Sequence, residues 1–185
     1  RSVLVRTLAS AWRDARTGLV IAALLATTGA VSLGRMSDAT DGLACSDFDN
    51  PTWTGVPNAS RVVRAVTAES VLTTVARRGA PFSTACTGWL WIAEPGDYTF
   101  VLGADDGARL DLDGEAVIVQ GGPHGLQFGS ATVGLMGGPH AIEVRYAQYG
   151  GDFAFALLMG GADITPTALP PHRLARLPRM RMRAR

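Results

Sequence analysis

Lysine is missing altogether from the 185 residues, so all 17 basic side chains are arginines, an absence for which the sequence offers no physical reason. Cysteine is nearly missing: Cys45 and Cys86 are too few for a disulfide framework and lack metal-ligand spacing. They remain open to two readings, buried thiols or one bridge, which outside the cytoplasm would contribute roughly 4 kcal/mol by closing a loop of about 42 residues. No nucleophile motif, metal triad or phosphate-cradling glycine loop is present, which points away from an enzyme within these residues. Long helices are also excluded beyond the first forty residues, because 22 glycines and 10 prolines punctuate the chain as short strands and tight turns require.

Positive charge is scarce where the chain is longest. The stretch 36–172 carries a net charge of −9, between ends of +4 (1–35) and +6 (173–185), making +1 overall. An acidic domain repels phosphate backbones, so nucleic acid is not an expected partner and a hard cation is a better one.

Charge vanishes between Arg16 and Arg35, where TGLVIAALLATTGAVSLG would form a helix of roughly 27 Å, close to the ~30 Å hydrocarbon core. Residues 17–34 are therefore expected to be a single transmembrane helix. Arg1, Arg6, Arg13 and Arg16 place 1–16 on the cytoplasmic side as a juxtamembrane segment, and the rest of the chain outside. A cleaved signal peptide ending near Ala30-Val31-Ser32 is the rival reading. Sixteen residues precede the apolar run and the first is Arg, which fits a piece of a longer membrane protein.

After a linker at 35–42, the pattern has period two. Leu90 and Ile92 alternate with Trp89 and Trp91, of which at least one is expected in the core. Tyr98, Phe100 and Leu102 share a face. Ala108, Leu110 and Leu112 point inward, with Arg109, Asp111 and Asp113 outward, and Asp113-Gly114 gives a hairpin turn. Ile142, Val144 and Tyr146 oppose Glu143 and Arg145, and Phe153, Phe155 and Leu157 form a last strand. Residues 62–75 read equally as strand or helix. So many half-apolar strands are buried only by an all-β antiparallel sandwich or barrel, expected over 43–174, with 175–185 a basic disordered tail.

The run GWLWIAEPGDYTFVLGADDGARLDLDGEAVI, then VGLMGGPHAIEVRYAQYGGDFAFALLM and the closing PPHRL, resembles the PA-fourteen domain, a carbohydrate-binding β-sandwich family shared by the anthrax protective antigen and yeast flocculins. The opening LACSDFDNPTWTG is similar to the family's first strand and loop. The resemblance implies a lectin-like module in which Asp105 and Asp106, joined by a cis peptide, hold Ca²⁺ that coordinates glycan hydroxyls. Adjacent carboxylates repel by about 1 to 4 kcal/mol near a surface, and a divalent cation reverses that sign. The same carboxylates could instead cap backbone N–H groups of a turn. The asparagine that the Ca²⁺-binding branch draws from a later loop has no counterpart after Asn58, so Gln148 or Asp152 would replace it, with Tyr149 the stacking residue. His124 and His140 are expected to be structural. The implied partner is a cell-surface or cell-wall polysaccharide or glycoconjugate. Alternatives are an accessory domain of a larger membrane glycosyltransferase or glycosidase, and a protein-binding spacer without a sugar site.

Overall fold

The computed structural model describes residues 41–71 and 81–178. The expected membrane segment 17–34 and most of the basic tail lie outside them. Among the described residues no helix is long and apolar enough to cross a membrane.

Among the described residues eleven strands form two stacked antiparallel sheets. In chain order they are β1 (Leu43–Phe48), β2 (Ala59–Val63), β3 (Phe82–Ile92), β4 (Gly96–Asp105), β5 (Gly107–Leu112), β6 (Glu115–Gln120), β7 (Gln127–Leu135), β8 (Gly138–Gln148), β9 (Ala154–Gly161), β10 (Thr167–Ala168) and β11 (Leu174–Ala175). One helical turn, α1 (Ala68–Val71), follows β2. The larger sheet runs β2-β1-β3-β8-β5-β6 with β11 also on β3, and the smaller runs β10-β9-β4-β7.

Alternation drives the stacking. Leu90 and Ile92 of β3, Leu110 and Leu112 of β5, and Ile142, Val144 and Tyr146 of β8 face Phe100 and Leu102 of β4 and Phe155, Leu157 and Met159 of β9, all nearly solvent-free. Each such side chain contributes roughly 1.5–3 kcal/mol of burial. Asp113 and Gly114 have φ of 52° and 85°, the left-handed pair that a two-residue hairpin between twisted strands requires. Cys45 and Cys86 sit opposite each other on β1 and β3 and are joined by a disulfide spanning 41 residues.

Two expectations are corrected, and a third side chain faces outward as expected but is covered. Trp89 and Trp91 both lie on the outer face of the large sheet and are only half-buried, since Leu90 and Ile92 take the inward positions. Phe153 precedes β9 and is 49% exposed; the inward apolar series is Phe155, Leu157 and Met159. Asp111 faces outward yet is only 5% exposed, because the Arg109 guanidinium folds onto both its carboxylate oxygens at 2.6–2.9 Å. That ion pair raises the Arg109 pKa, through the hydrogen bond first and the charge of Asp111 second. The ambiguous stretch resolves as β2 ending at Val63 followed by α1 from Ala68.

Candidate functional site around Asp105 and Asp106

β4 and β5 meet at a corner formed by Asp105 and Asp106, whose peptide bond is cis. The corner gathers two loops, 121–126 after β6 and 149–153 after β8. Asp106 is 5% exposed and holds both: Oδ1 accepts the His124 N–H at 2.9 Å, and Oδ2 the Tyr149 N–H at 2.7 Å. A carboxylate accepting two main-chain donors makes charge-assisted bonds, about twice as strong as neutral ones. Each oxygen keeps a lone pair. The half-buried Asp105 carboxylate makes no hydrogen bond or ion pair among the described residues, while its main-chain oxygen accepts from the Tyr146 hydroxyl.

Tyr146 and Gln148 reach the corner because period two puts both on the inward face of β8. Tyr146 packs against Phe82 and Phe155 with centroids 5.9 and 5.7 Å away. Its one hydroxyl proton lies between the Asp105 carbonyl and Gln148 Oε1. Burial, with the charges of Asp106 and Asp105 adding to it, pushes the phenol well above its ordinary pKa, so it stays a donor. Gln148 Nε2 donates to the carbonyls of Gly150 at 2.9 Å and Asp152 at 2.8 Å, fixing the loop.

The structure thus places all five residues singled out by sequence at one corner, in different roles. Gln148 is 4% exposed and turns its amide onto main-chain atoms, Asp152 contributes its carbonyl and is exposed, and Tyr149 contributes its N–H. Tyr146 and His124 were missed as site residues. The signal for Tyr146 was its shared parity with Gln148; for His124 there was none, because its main-chain N–H makes the contact. His124 Nδ1 lies 2.7 Å from the Gly125 carbonyl, while buried Nε2 has no partner among the described residues. His140 is structural at the far end of β8. Both ring nitrogens face acceptors, Asp113 Oδ2 at 2.6 Å and the Met136 carbonyl at 2.8 Å. Burial alone would lower its pKa, but these bonds and the charge of Asp113 leave it raised.

No three His, Cys, Asp or Glu side chains cluster as a metal site among the described residues. A cation at the corner would have the Asp105 and Asp106 carboxylates, with water, main-chain carbonyls or ligand hydroxyls completing its shell. That donor set suits a hard ion with six to eight oxygen ligands rather than zinc.

The sandwich is similar to an anti-sigma factor domain-containing protein from Clostridium clariflavum (22% identity, TM-score 0.63), over 76% of this chain and 48% of that one. It is similar also to a PA14 sugar-binding domain from an RTX adhesin (17% identity, TM-score 0.60), over 74% and 98% of the two chains. A third is an epithelial adhesin A domain from Candida glabrata in complex with Galb1-3GlcNAc (14% identity, TM-score 0.56), over 76% and 89%. At these identities the likeness is one of fold, and the chain spans about half the length of the anti-sigma protein. None of the curated proteins compared matches the chain. The PA14 domain model matches residues 46–159, more than half of the sequence, and the chain belongs to the PA14 domain family.

Proposed function

We propose that this domain is a lectin-like module that binds glycans through Ca²⁺ held by Asp105 and Asp106, on the outer side of a membrane to which helix 17–34 tethers it. The observation that carries the reading is the division of labour at the corner. Asp106 straps two loops beside Asp105, and the Asp105 carboxylate next to it has no partner among the described residues. An unpaired carboxylate beside a second one is an unfavourable arrangement that a divalent cation relieves.

When bound, the ion supplies a coordination shell in which glycan hydroxyls exchange with water. The chain's own residues supply the rest. Asp106 and Gln148 fix the two loops, Tyr146 holds the Asp105 main chain, and Tyr149 and Asp152 stand at the rim. Two of the structural neighbours, the sugar-binding domain from the RTX adhesin and the adhesin domain with its bound disaccharide, support a binding module rather than a catalyst. The Cys45–Cys86 disulfide supports an oxidising, extracytoplasmic setting.

The test is a glycan array and calorimetry on the full chain, with Ca²⁺ or with EDTA. Saccharide binding that needs Ca²⁺ and is lost in Asp105→Asn is expected. Absence of saccharide binding in both conditions sinks the proposal. Tethering is tested separately by whether residues 17–34 confer membrane association on a soluble reporter.

A further inference from the structure

The outer face of the large sheet carries a second feature that the corner does not use. The loop between β1 and β2 folds back over β3 and β8 and lays Trp53 there. Its main-chain N–H donates to Ser83 Oγ at 3.2 Å, and its indole N–H is shared between the carbonyls of Thr84 and Tyr146, each at 3.2 Å. Trp53 has a φ of 54°, a conformation that a bulky side chain seldom adopts. Asn50 maintains it: Oδ1 accepts the Thr52 N–H at 3.0 Å and Oγ1–H at 2.9 Å, and Nδ2 donates to the Thr54 carbonyl at 2.9 Å. The aromatic ring is therefore prepositioned by contacts to residues 30 and 93 positions away.

Beside the ring a groove of about 350 Å³ runs over the strands, lined by Ser46, Thr52, Thr87, Glu143 and Arg145 with Trp53 as its wall. The Arg145 guanidinium carbon is 6.0 Å from the Trp53 ring centre, and its Nε donates to Glu143 Oε1 at 2.7 Å. A second hollow of about 230 Å³, toward Asp111 and Gly114, shares Thr87 and Glu143 with the first. The two lie side by side across β3 and β8, on either side of Thr87 and Glu143.

We infer that this outer-face groove is a second glycan subsite, independent of the cation, which takes an internal stretch of a neutral oligosaccharide chain. Its chemistry selects that class. An indole face matches the C–H face of a pyranose, and a planar guanidinium and carboxylate pair with vicinal hydroxyls. An anionic ligand is disfavoured because Arg145 is already paired with Glu143, and Arg109 with Asp111. A protein partner would need a broader interface than these two hollows offer. The fixed loop lowers the ordering cost of binding. The inference does not rest on Ca²⁺ at the corner.

The experiment titrates the full chain, in EDTA, with soluble hexasaccharides of β-1,4-glucose, N-acetylglucosamine, mannose and xylose, following the Trp53 indole N–H by NMR and affinity by calorimetry. At least one sugar is expected to move the Trp53 signal. Trp53→Ala should weaken that binding at least tenfold, and Asp105→Asn should leave it unchanged. Because Trp53 anchors a loop, Glu143→Gln with Arg145→Ala on the exposed face serves as the second variant, with the same loss expected. An unmoved Trp53 signal with all four sugars, or EDTA-resistant binding that survives Trp53→Ala and the second variant but not Asp105→Asn, overturns the inference. Failure of Ca²⁺-dependent binding alone would sink the corner site and leave the groove intact.

Discussion

Replacing Asp106 by alanine removes both main-chain hydrogen bonds at the corner and leaves the His124 and Tyr149 N–H groups without their acceptor. Bonds to a charged group are worth about 1.5–3 kcal/mol each, and surface water can recover part of that, so a loss of about 3 kcal/mol is expected. For a domain of this size that lowers the melting temperature by roughly 10 °C. Asp106→Asn keeps one neutral acceptor but turns an NH₂ group toward a main-chain donor, and should cost about 2 kcal/mol. Asp105→Asn is the control: its carboxylate has no partner among the described residues and only repels that of Asp106, so without Ca²⁺ the variant should be at least as stable as the wild type, by up to about 1 kcal/mol. Urea unfolding in EDTA measures all three, and hydrogen exchange at His124 and Tyr149 localises the effect. Adding Ca²⁺ at about 100 times its Kd should then stabilise the wild type by about 2.7 kcal/mol and Asp105→Asn by nearly nothing. If Asp106→Ala unfolds at the wild-type midpoint with unchanged exchange at both amides, the strapping role assigned to Asp106 is wrong.

Reducing the disulfide, or changing Cys45 and Cys86 to serine, should cost about 4 kcal/mol by freeing a loop of 41-residue separation, seen as a lower urea midpoint. The raised pKa of His140 means that its pair with Asp113 stabilises fully below the unfolded value of about 6.5 and fades as pH rises through the higher folded value. The stability gap between wild type and His140→Gln should therefore be widest at mildly acid pH, at under about 1 kcal/mol for a half-exposed partner, and close above neutrality. A pH-independent gap would contradict the pairing. Gly160→Ala places a Cβ 2.3 Å from the Ile164 carbonyl oxygen, so it should destabilise by more than about 1 kcal/mol or force the turn after β9 to move, visible in the melting temperature.

Features with a local cause were readable in the sequence. The alternation of Ala108, Leu110 and Leu112, the Asp113-Gly114 turn and the Ile142, Val144 and Tyr146 face all appear as read, because side-chain period and left-handed φ are set within a few residues. Alternation does not say which parity is inside. Trp89 and Trp91 were larger and more apolar than their neighbours suggested for an outer face, yet the sheet packing gives the inner positions to Leu90 and Ile92. The corner was legible only in part. The twin aspartates and the loop at 148–152 could be named, but that Asp106 binds main-chain donors 18 and 43 residues away cannot be seen from side-chain types. Trp53 was invisible for the same reason: it sits in a loop without periodicity, and its partners come from the distant strands β3 and β8.

The main chain closes on itself at the base of the sandwich. Gly42 donates its N–H to the Leu174 carbonyl at 3.1 Å, and Asp41 bridges to Ala175, so both ends of the domain leave from neighbouring points on the large sheet. Tension applied through the flanking chain would meet this small clasp first and peel β11 from β3, while the Asp105–Asp106 corner at the other end of β3 stayed mechanically unloaded. A module whose two ends leave from one point can be spliced into a larger polypeptide without loading that corner.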